Sequence, residues 1–332
     1  MLKKILVSGI TIATLFGYSQ SFANAQSGEN FPSQPIKLVV SSAAGGGSDI
    51  IARLVAEKIA PILGGNVIVE NRPGAGGSVA MGAVARAKPD GHTLVLGGVS
   101  TNVLIPLSNP NLNYDPIKDL TPIAQLGLAS IVLVAAKDFP ADDLKELVAL
   151  AGSKSDQDSL QYASFGIGSS GHFCGEMFSI LSNTKLEHVP YKTTPQIIND
   201  IMGGQIKIGF VDSATGAPMI QSGAVKAIAT CPNNLPILPE VRSFEDQGMT
   251  VSKIASNAFR WAFYGPAGMS PEVVEKLSSA MRKVVEMPDV NKRLRDLGVM
   301  PEFVDGEELG KTAPLEMEAW KTIADQANIR ME

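Results

Sequence analysis

Short apolar runs alternate with helical patterns along most of this 332-residue chain. The first series consists of strand-like runs at 36–40, 67–70 and 93–97, with helical patterns at 49–63 and 78–87. This β-α-β order predicts parallel strands joined by helical crossovers. A second series of strands and helices follows between residues 131 and 230. We therefore predict two α/β lobes.

The last part of the chain is mainly helical, with patterns at 271–286, 289–297 and 313–326 beside one short strand at 262–264. So few strands must join an existing sheet, and packing on the first lobe makes the chain cross between the lobes twice. We predict these crossings near 127–130 and 252–259. The predicted fold class is α/β, with lobe 1 at 26–128 plus 255–332 and lobe 2 at 129–254. Two crossover segments around a cleft allow closure over a small ligand.

The N-terminus has the pattern of an export signal. Lys3 and Lys4 precede an apolar stretch at 5–16, and Ala23-Asn24-Ala25 is the small-x-small pattern of a cleavage site. The apolar stretch is too short for a membrane anchor, which needs roughly 20 apolar residues. We predict that residues 1–25 are a signal peptide cleaved near Ala25. The mature chain is then expected in the periplasm.

Composition excludes several classes of function. Loss of two lysines and no acidic residue with the signal peptide changes the formal net charge from −5 to −7, which disfavours nucleic-acid binding. The three histidines lack metal-binding spacing and two cysteines are too few for a four-thiolate zinc site, so we expect no metal and no cofactor. Cys174 and Cys231 both fall in the second lobe. A disulfide and two buried free thiols both remain open.

Two glycine-rich segments, 41–49 and 164–172, each follow a predicted strand and open a predicted helix. Glycines let the backbone approach a ligand, and a helix N-terminus adds partial positive charge. Such a turn is an anion site. If both turns face one cleft, both can donate to the same carboxylate. The alternative is that they are ordinary strand-to-helix turns capped by serines.

Polar residues after two buried strands extend the predicted site, because α/β sheets bind ligands beyond the carboxyl ends of their strands. These residues can also be simple turn caps. Arg260, near the second crossing, can neutralise a distal anionic group of the ligand or be a solvated surface residue. The predicted ligand contacts are Ala44, Gly45, Gly46, Gly47, Ser48, Asp49, Ser100, Thr101, Asn102, Ser164, Gly166, Ile167, Ser169, Ser170, Gly171, His172 and Asp212.

The second segment also matches the dinucleotide pattern G-x-G-x-x-G, with Glu187 about 20 residues further on. In a dinucleotide fold this acid closes the next strand, whereas Glu187 opens a run. The pattern therefore does not predict a dinucleotide site.

An exported serine hydrolase is the enzymatic alternative. Its nearest residue set is Ser170, His172 and Asp212, but no G-x-S-x-G elbow occurs. Ser170 and His172 are two residues apart at a helix start, where side chains do not face each other. Since geometry decides a triad, the sequence leaves this alternative open. We expect a protein that is not an enzyme.

Motifs spread over nearly the whole mature chain resemble those of the tripartite tricarboxylate transporter substrate-binding proteins, also called the Bug family. They occur in the order of that family. The motifs are FPSQPI at 31–36, GGGSD at 45–49 with Arg53, ENRPGAGG at 70–77, PDGHTL at 89–94, YDP at 114–116, YAS at 162–164, HVPYK at 188–192, GGQ at 203–205 and GPAG at 265–268.

The resemblance implies a type II periplasmic-binding-protein-like fold and delivery of a solute to a membrane permease. It implies a carboxylate held between loops 43–49 and 165–172, partly through water, with residues 100–102 and Asp212 shaping the rest of the pocket. We expect an organic di- or tricarboxylate, an aromatic acid or an acidic amino acid as ligand, and a monomeric receptor. The alternative within binding proteins is an exported sensing domain for a signalling partner.

Two departures from the family pattern concern specificity. Residues 41–44 are Ser-Ser-Ala-Ala, where the family often has proline and phenylalanine. Ile167 replaces a residue that is usually polar in the family. An apolar residue beside the carboxylate suggests a ligand with an apolar or aromatic body. The alternative is that Ile167 points into the lobe core.

Overall fold

The computed structural model describes residues 30–152, 159–250 and 259–330 of the chain. The predicted signal peptide at 1–25 lies outside these ranges. No helix within them is both long enough and apolar enough for a membrane crossing.

The first sheet combines strands from both ends of the described chain. Strands β1 and β2 pair in parallel, as do β1 and β3, which confirms the predicted parallel unit. The later strands pair antiparallel. Its members are β1 (Ile36–Val40), β2 (Val67–Asn71), β3 (Thr93–Gly98), β4 (Leu120–Ala129), β10 (Arg260–Pro266) and β11 (Val299–Asp305), in the spatial order β11-β4-β10-β3-β1-β2.

The second sheet takes all five of its strands from the middle of the chain. β6 pairs in parallel with β7 and β8, whereas β5 pairs antiparallel with β8 and β9. The strands are β5 (Ile131–Ala135), β6 (Leu160–Ser164), β7 (Leu186–Pro190), β8 (Ile208–Asp212) and β9 (Lys226–Cys231), in the spatial order β7-β6-β8-β5-β9.

Helices connect the strands and cover both sheets. Ser270 caps α8 and Pro271 takes its first position, the pattern that predicted this helix over its full length. The helices are α1 (Gly47–Leu63), α2 (Ser78–Ala85), α3 (Ile105–Ser108), α4 (Leu144–Gly152), α5 (Ser170–Ser182), α6 (Thr194–Met202), α7 (Ser213–Gln221), α8 (Pro271–Glu286), α9 (Pro288–Asp296) and α10 (Gly306–Gln326).

The chain passes from the first sheet to the second across Ser130, the single residue between β4 and β5. The predicted return at 252–259 lies outside the described residues except for Phe259. Cys174 in α5 and Cys231 at the end of β9 form a disulfide. This bond answers the question that the sequence left open.

The last helix contacts both lobes. Leu309, near its start, is buried with Val39 and Tyr264 against the first sheet. Trp320, near its end, packs edge-on against Phe173 of α5, with ring centroids 5.7 Å apart. The predicted lobe 1 includes residues 255–332, and that boundary stays a prediction.

Candidate functional site

A cavity of about 600 Å³ lies between the two sheets, a volume suited to a small organic ligand. It is lined by the ends of strands and the starts of helices from both lobes. The first lobe contributes the loop before α1 and the end of β3, and the second lobe contributes the loop before α5 and the end of β7. This is the edge at which α/β sheets present ligand contacts.

The loop before α1 (residues 41–49, hereafter the first loop) leaves two backbone donors free at the cavity. The amides of Gly45, Gly46 and Asp49 donate to acceptors within the loop. In contrast, the Gly47 and Ser48 amides have no acceptor among the residues that the structure describes. Both residues are buried, line the cavity and begin a 17-residue helix. Two free N–H groups at a helix N-terminus can bind an anion.

The two lobes approach each other so closely at Gly47 that a side chain at this position would clash. A Cβ at this position would lie 2.4 Å from Oδ1 of Asp212. Asp212 caps α7 by accepting from the Thr215 amide, and it also accepts from the Thr194 hydroxyl at 2.5 Å. The Asp212 carboxylate therefore stands beside the N-terminus of α1, although it belongs to the second lobe.

Asp49 holds the first loop from behind and does not line the cavity. Its carboxylate accepts from the Gly45 amide at 3.0 Å and from Asn71 at 2.9 Å, and it pairs with Arg53 at 2.9 Å. Burial alone would raise the pKa of Asp49, but the hydrogen bonds from Arg53, Gly45 and Asn71 lower it overall. We interpret Asp49 as a residue that supports the loop.

The loop before α5 (residues 164–172, hereafter the second loop) uses several of its backbone donors internally. The Gly166 amide donates to Ser164 Oγ, the Ser169 amide donates to the Gly166 carbonyl, and the Gly168 amide donates to Nδ1 of His172. Gly168 has φ +75°, and a Cβ there would also meet Ser108 Oγ. Only glycine fits this point without strain.

Two stacked histidines lie behind the second loop. The rings of His172 and His188 are 3.8 Å apart and nearly parallel, and Nε2 of His188 is 2.7 Å from Ser164 Oγ. Burial lowers the pKa of His172 to about 3, helped by His188, and burial lowers the pKa of His188 to about 4. Both rings are therefore neutral at neutral pH, and Nδ1 of His172 is free to accept from Gly168.

A pair of serines joins the two lobes directly. The Ser170 amide, at the start of α5, donates to Ser100 Oγ at 3.0 Å. The two hydroxyl groups are also hydrogen-bonded to each other. Since Ser100 follows β3 and both residues line the cavity, this contact spans the cleft.

Arg260 lines the cavity but already has an anionic partner. Its guanidinium pairs with Glu316 of α10 and donates to Thr312 at 3.0 Å. The side chains of Arg260 and Glu316 are 7% and 5% exposed. Arg260 is therefore not a solvated surface residue, and its neutralisation of a distal group of the ligand stays a prediction.

The structure brings about half of the predicted contacts to the cavity. Ile167 is 36% exposed, so the alternative that it points into the lobe core is wrong. The predicted residues that line the cavity are Gly46, Gly47, Ser48, Ser100, Thr101, Gly166, Ile167, Ser170 and Asp212. The other eight do not line it: Ala44, Gly45, Asp49, Asn102, Ser164, Ser169, Gly171 and His172.

These eight residues are displaced for local reasons. Ala44 and Gly45 are exposed at the tip of the first loop. Ser169 caps α5 by accepting from the His172 amide, and Asn102 accepts from the Thr101 hydroxyl. Gly171 is buried, and a Cβ there would lie 2.9 Å from the carbonyl oxygen of Phe210. Ser164 is fully buried.

Besides residues 129–131, where the chain crosses between the sheets, three cavity segments lie outside the predicted site. Residues 73–77 follow β2 and are rich in glycine, a signal that was used only for the family resemblance. Residues 190–194 follow β7, a strand that was not predicted as such. Phe259 and Trp261 lie next to the return crossing. The rule that strand ends carry the site would have found the first two segments.

The residues of the dinucleotide pattern and those of the serine hydrolase alternative are not arranged as these functions require. Glu187 is the second residue of β7, whereas Pro190 at the other end of that strand lines the cavity. Ser170, His172 and Asp212 each bond elsewhere: to Ser100, to Gly168 and to Thr194 with Thr215. They form no triad in the described structure.

Known proteins resemble this chain in sequence and in fold. The family model for the tripartite tricarboxylate transporter family receptor matches residues 51–329. A UPF0065 protein of Bordetella pertussis is 35% identical over 292 residues, which cover 88% of this chain and 87% of that protein. The structure of periplasmic binding protein BugD has a TM-score of 0.83 at 29% identity, covering 91% of this chain and 100% of that chain. MatC from Rhodopseudomonas palustris, solved with bound malate, has a TM-score of 0.79 at 30% identity. The match covers 88% of this chain and 99% of that chain.

Two α/β lobes around a ligand-sized cleft define the class of solute-binding receptors. This chain belongs to the tripartite tricarboxylate transporter receptor family, since the family model spans most of its length. The resemblance inferred from sequence motifs and the two-lobe fold class are thereby confirmed. Members of this family are periplasmic binding proteins, and their role is to bind solutes.

Proposed function

We propose that this chain captures a small carboxylate in the periplasm and delivers it to the permease subunits of a tripartite tricarboxylate-type transporter. The observation that carries the proposal is the pair of free amides of Gly47 and Ser48 at the cavity. Binding of malate by MatC, a relative at 30% identity, supports a carboxylate ligand here. Since the formal net charge is negative, attraction of an anion must come from local N–H groups and helix ends.

The ligand class is tested by thermal unfolding of the mature protein against mono-, di- and tricarboxylates, aromatic acids, amino acids and uncharged sugars. A ligand at 100 times its Kd stabilises the folded state by about 2.7 kcal/mol if it binds only that state. We expect a carboxylate to give the largest shift. If sugars or amines raise the Tm and no carboxylate does, the proposal is wrong.

The partner and the location need separate measurements. We expect cells that lack this chain to lose uptake of the ligand, and the exported protein to begin after Ala25 when its N-terminus is sequenced. Unchanged uptake with lost ligand-dependent transcription would favour the sensing alternative. Light scattering of the mature protein should give the mass of a monomer.

A further inference from the structure

The charged groups around the cavity define how many anionic ends a ligand can have. Among the described residues that line it, Lys192, Asp212 and Arg260 are the charged ones. Carboxylate groups that leave water need a cation or several N–H donors to offset the loss of hydration. Each of the three charged residues can therefore be examined as a partner for a second carboxylate.

Arg260 does not offer its charge. Both terminal nitrogens of its guanidinium contact Glu316 or Thr312, and the Arg260–Glu316 pair is buried. Pulling Arg260 towards a ligand anion would leave Glu316 buried without its cation, which is costly. The Arg260 Nε–H is buried without a partner in the described structure. One N–H group can serve an uncharged oxygen but does not balance a second full charge.

The other two charged residues do not favour a second anion either. Asp212 carries the same charge as the ligand, so it is not a partner for a second carboxylate. Lys192 is exposed at the end of β7. An ion pair with an exposed lysine contributes little, because water and salt screen it.

The rest of the wall away from the first loop is largely apolar. Phe165, Ile167, Tyr191, Phe259 and Trp261 all line the cavity. Apolar and aromatic side chains favour ligand groups that gain from leaving water. Apart from the exposed Lys192, the described residues of this wall offer no unpaired cation to a second carboxylate.

On the basis of the proposed function, we propose that the ligand is a monocarboxylate with an uncharged, apolar or aromatic body. Its carboxylate meets the free amides of Gly47 and Ser48. The rest of the ligand lies against Phe165, Ile167, Tyr191, Phe259 and Trp261, and no second charge is accommodated. This narrows the ligand from carboxylates in general to one class of them.

Two pairs of compounds that differ only in a second carboxylate test this inference by calorimetric titration. The pairs are hexanoate against adipate, and 3-phenylpropanoate against its para-carboxy derivative. We expect each monocarboxylate to bind at least tenfold more tightly than its partner. Equal or tighter binding of the dicarboxylates, or binding of malate or citrate alone, overturns the inference and leaves the proposed function intact. Binding of none of these acids overturns both.

Matched variants test which residues set the preference for monocarboxylates over dicarboxylates. Ile167→Ser should weaken 3-phenylpropanoate binding about fivefold, because it replaces an apolar wall residue. Ile117→Ser, at a residue that is 50% exposed and does not line the cavity, is the control and should leave the affinity unchanged. Lys192→Met should not change the preference between hexanoate and adipate. Adipate binding that Lys192→Met abolishes would identify Lys192 as a partner for a second carboxylate and overturn the inference.

Discussion

The two loops that start α1 and α5 look alike in sequence but differ in how their N–H groups are used. Each is rich in glycine and serine and follows the end of a strand. The first loop leaves the Gly47 and Ser48 amides free. The second loop bonds the amides of Gly166, Gly168, Ser169 and His172 to its own carbonyl, hydroxyl and imidazole groups, and the amide of Ser170 to Ser100. A glycine-rich turn before a helix is therefore an anion site only where its donors remain unused.

The difference assigns separate tasks to the two loops. The first loop offers backbone donors and is held from behind by Asp49. The second loop is a rigid turn, supported by the His172–His188 stack, that presents the side chains of Ile167 and Ser170 to the cavity. Three substitutions test this division.

Gly47→Val should have the largest effect, a loss of at least 100-fold in affinity for the tightest carboxylate. The added Cβ would lie 2.4 Å from Asp212 Oδ1 and would cover the free amides. Calorimetric titration measures the affinity, and circular dichroism checks that the variant folds. Gly152→Val is the control, since a Cβ there meets nothing within 4 Å. Unchanged affinity in Gly47→Val would remove the first loop from the site.

His172→Asn should reduce the acid sensitivity of folding. Because the pKa of His172 is about 3 in the folded state and 6.5 ordinarily, the unfolded chain gains a proton between pH 7 and pH 5 that the folded chain does not. This costs the wild type about 2 kcal/mol of stability over that interval. Asparagine does not titrate and still offers an acceptor to the Gly168 amide.

Urea unfolding at pH 7 and pH 5 measures this difference. The variant should lose about 2 kcal/mol less than the wild type. Ser179→Ala, in the same helix, is the control, because it changes no titrating group and should keep the full pH dependence. Equal losses in the wild type and His172→Asn would show that this ring is not held neutral by burial.

Ser170→Ala should have the smallest effect, a three- to tenfold loss of affinity. It removes the hydroxyl bond to Ser100, and a hydrogen bond of this kind contributes about 1 kcal/mol. Ser182→Ala is the control, since its hydroxyl donates within α5 to the Phe178 carbonyl. A loss as large as that of Gly47→Val would mean that the second loop, and not the first, contributes most to binding of the carboxylate.

Local signals predicted much of the fold. The apolar run of β1 and the cap-and-proline start of α8 gave the observed bounds, because both elements depend on neighbouring residues alone. Strand β4 was missed because Pro122 and Gly127 interrupt its pattern. Pro301 likewise obscured β11, which lies at the sheet edge, where proline is tolerated. Helix α10 was predicted from residue 313, but it begins at Gly306 and carries Pro314 inside.

The site was less predictable than the fold, because its properties depend on long-range contacts. The glycine pattern indicated both loops, but which amides stay free depends on Asp49, His172 and Ser100. The occupation of Arg260 by Glu316 joins residues 56 positions apart. No spacing rule shows such a pair, so the sequence did not indicate that the Arg260 cation has an anionic partner.

Helix α10 has a mechanical consequence for the molecule. Its 21 residues span about 30 Å, with Leu309 anchored in one lobe and Trp320 in the other. A change in the position of one lobe relative to the other must bend the helix or pull Trp320 from its contacts with Phe173 and Phe259. Helix α10 therefore couples the two lobes mechanically.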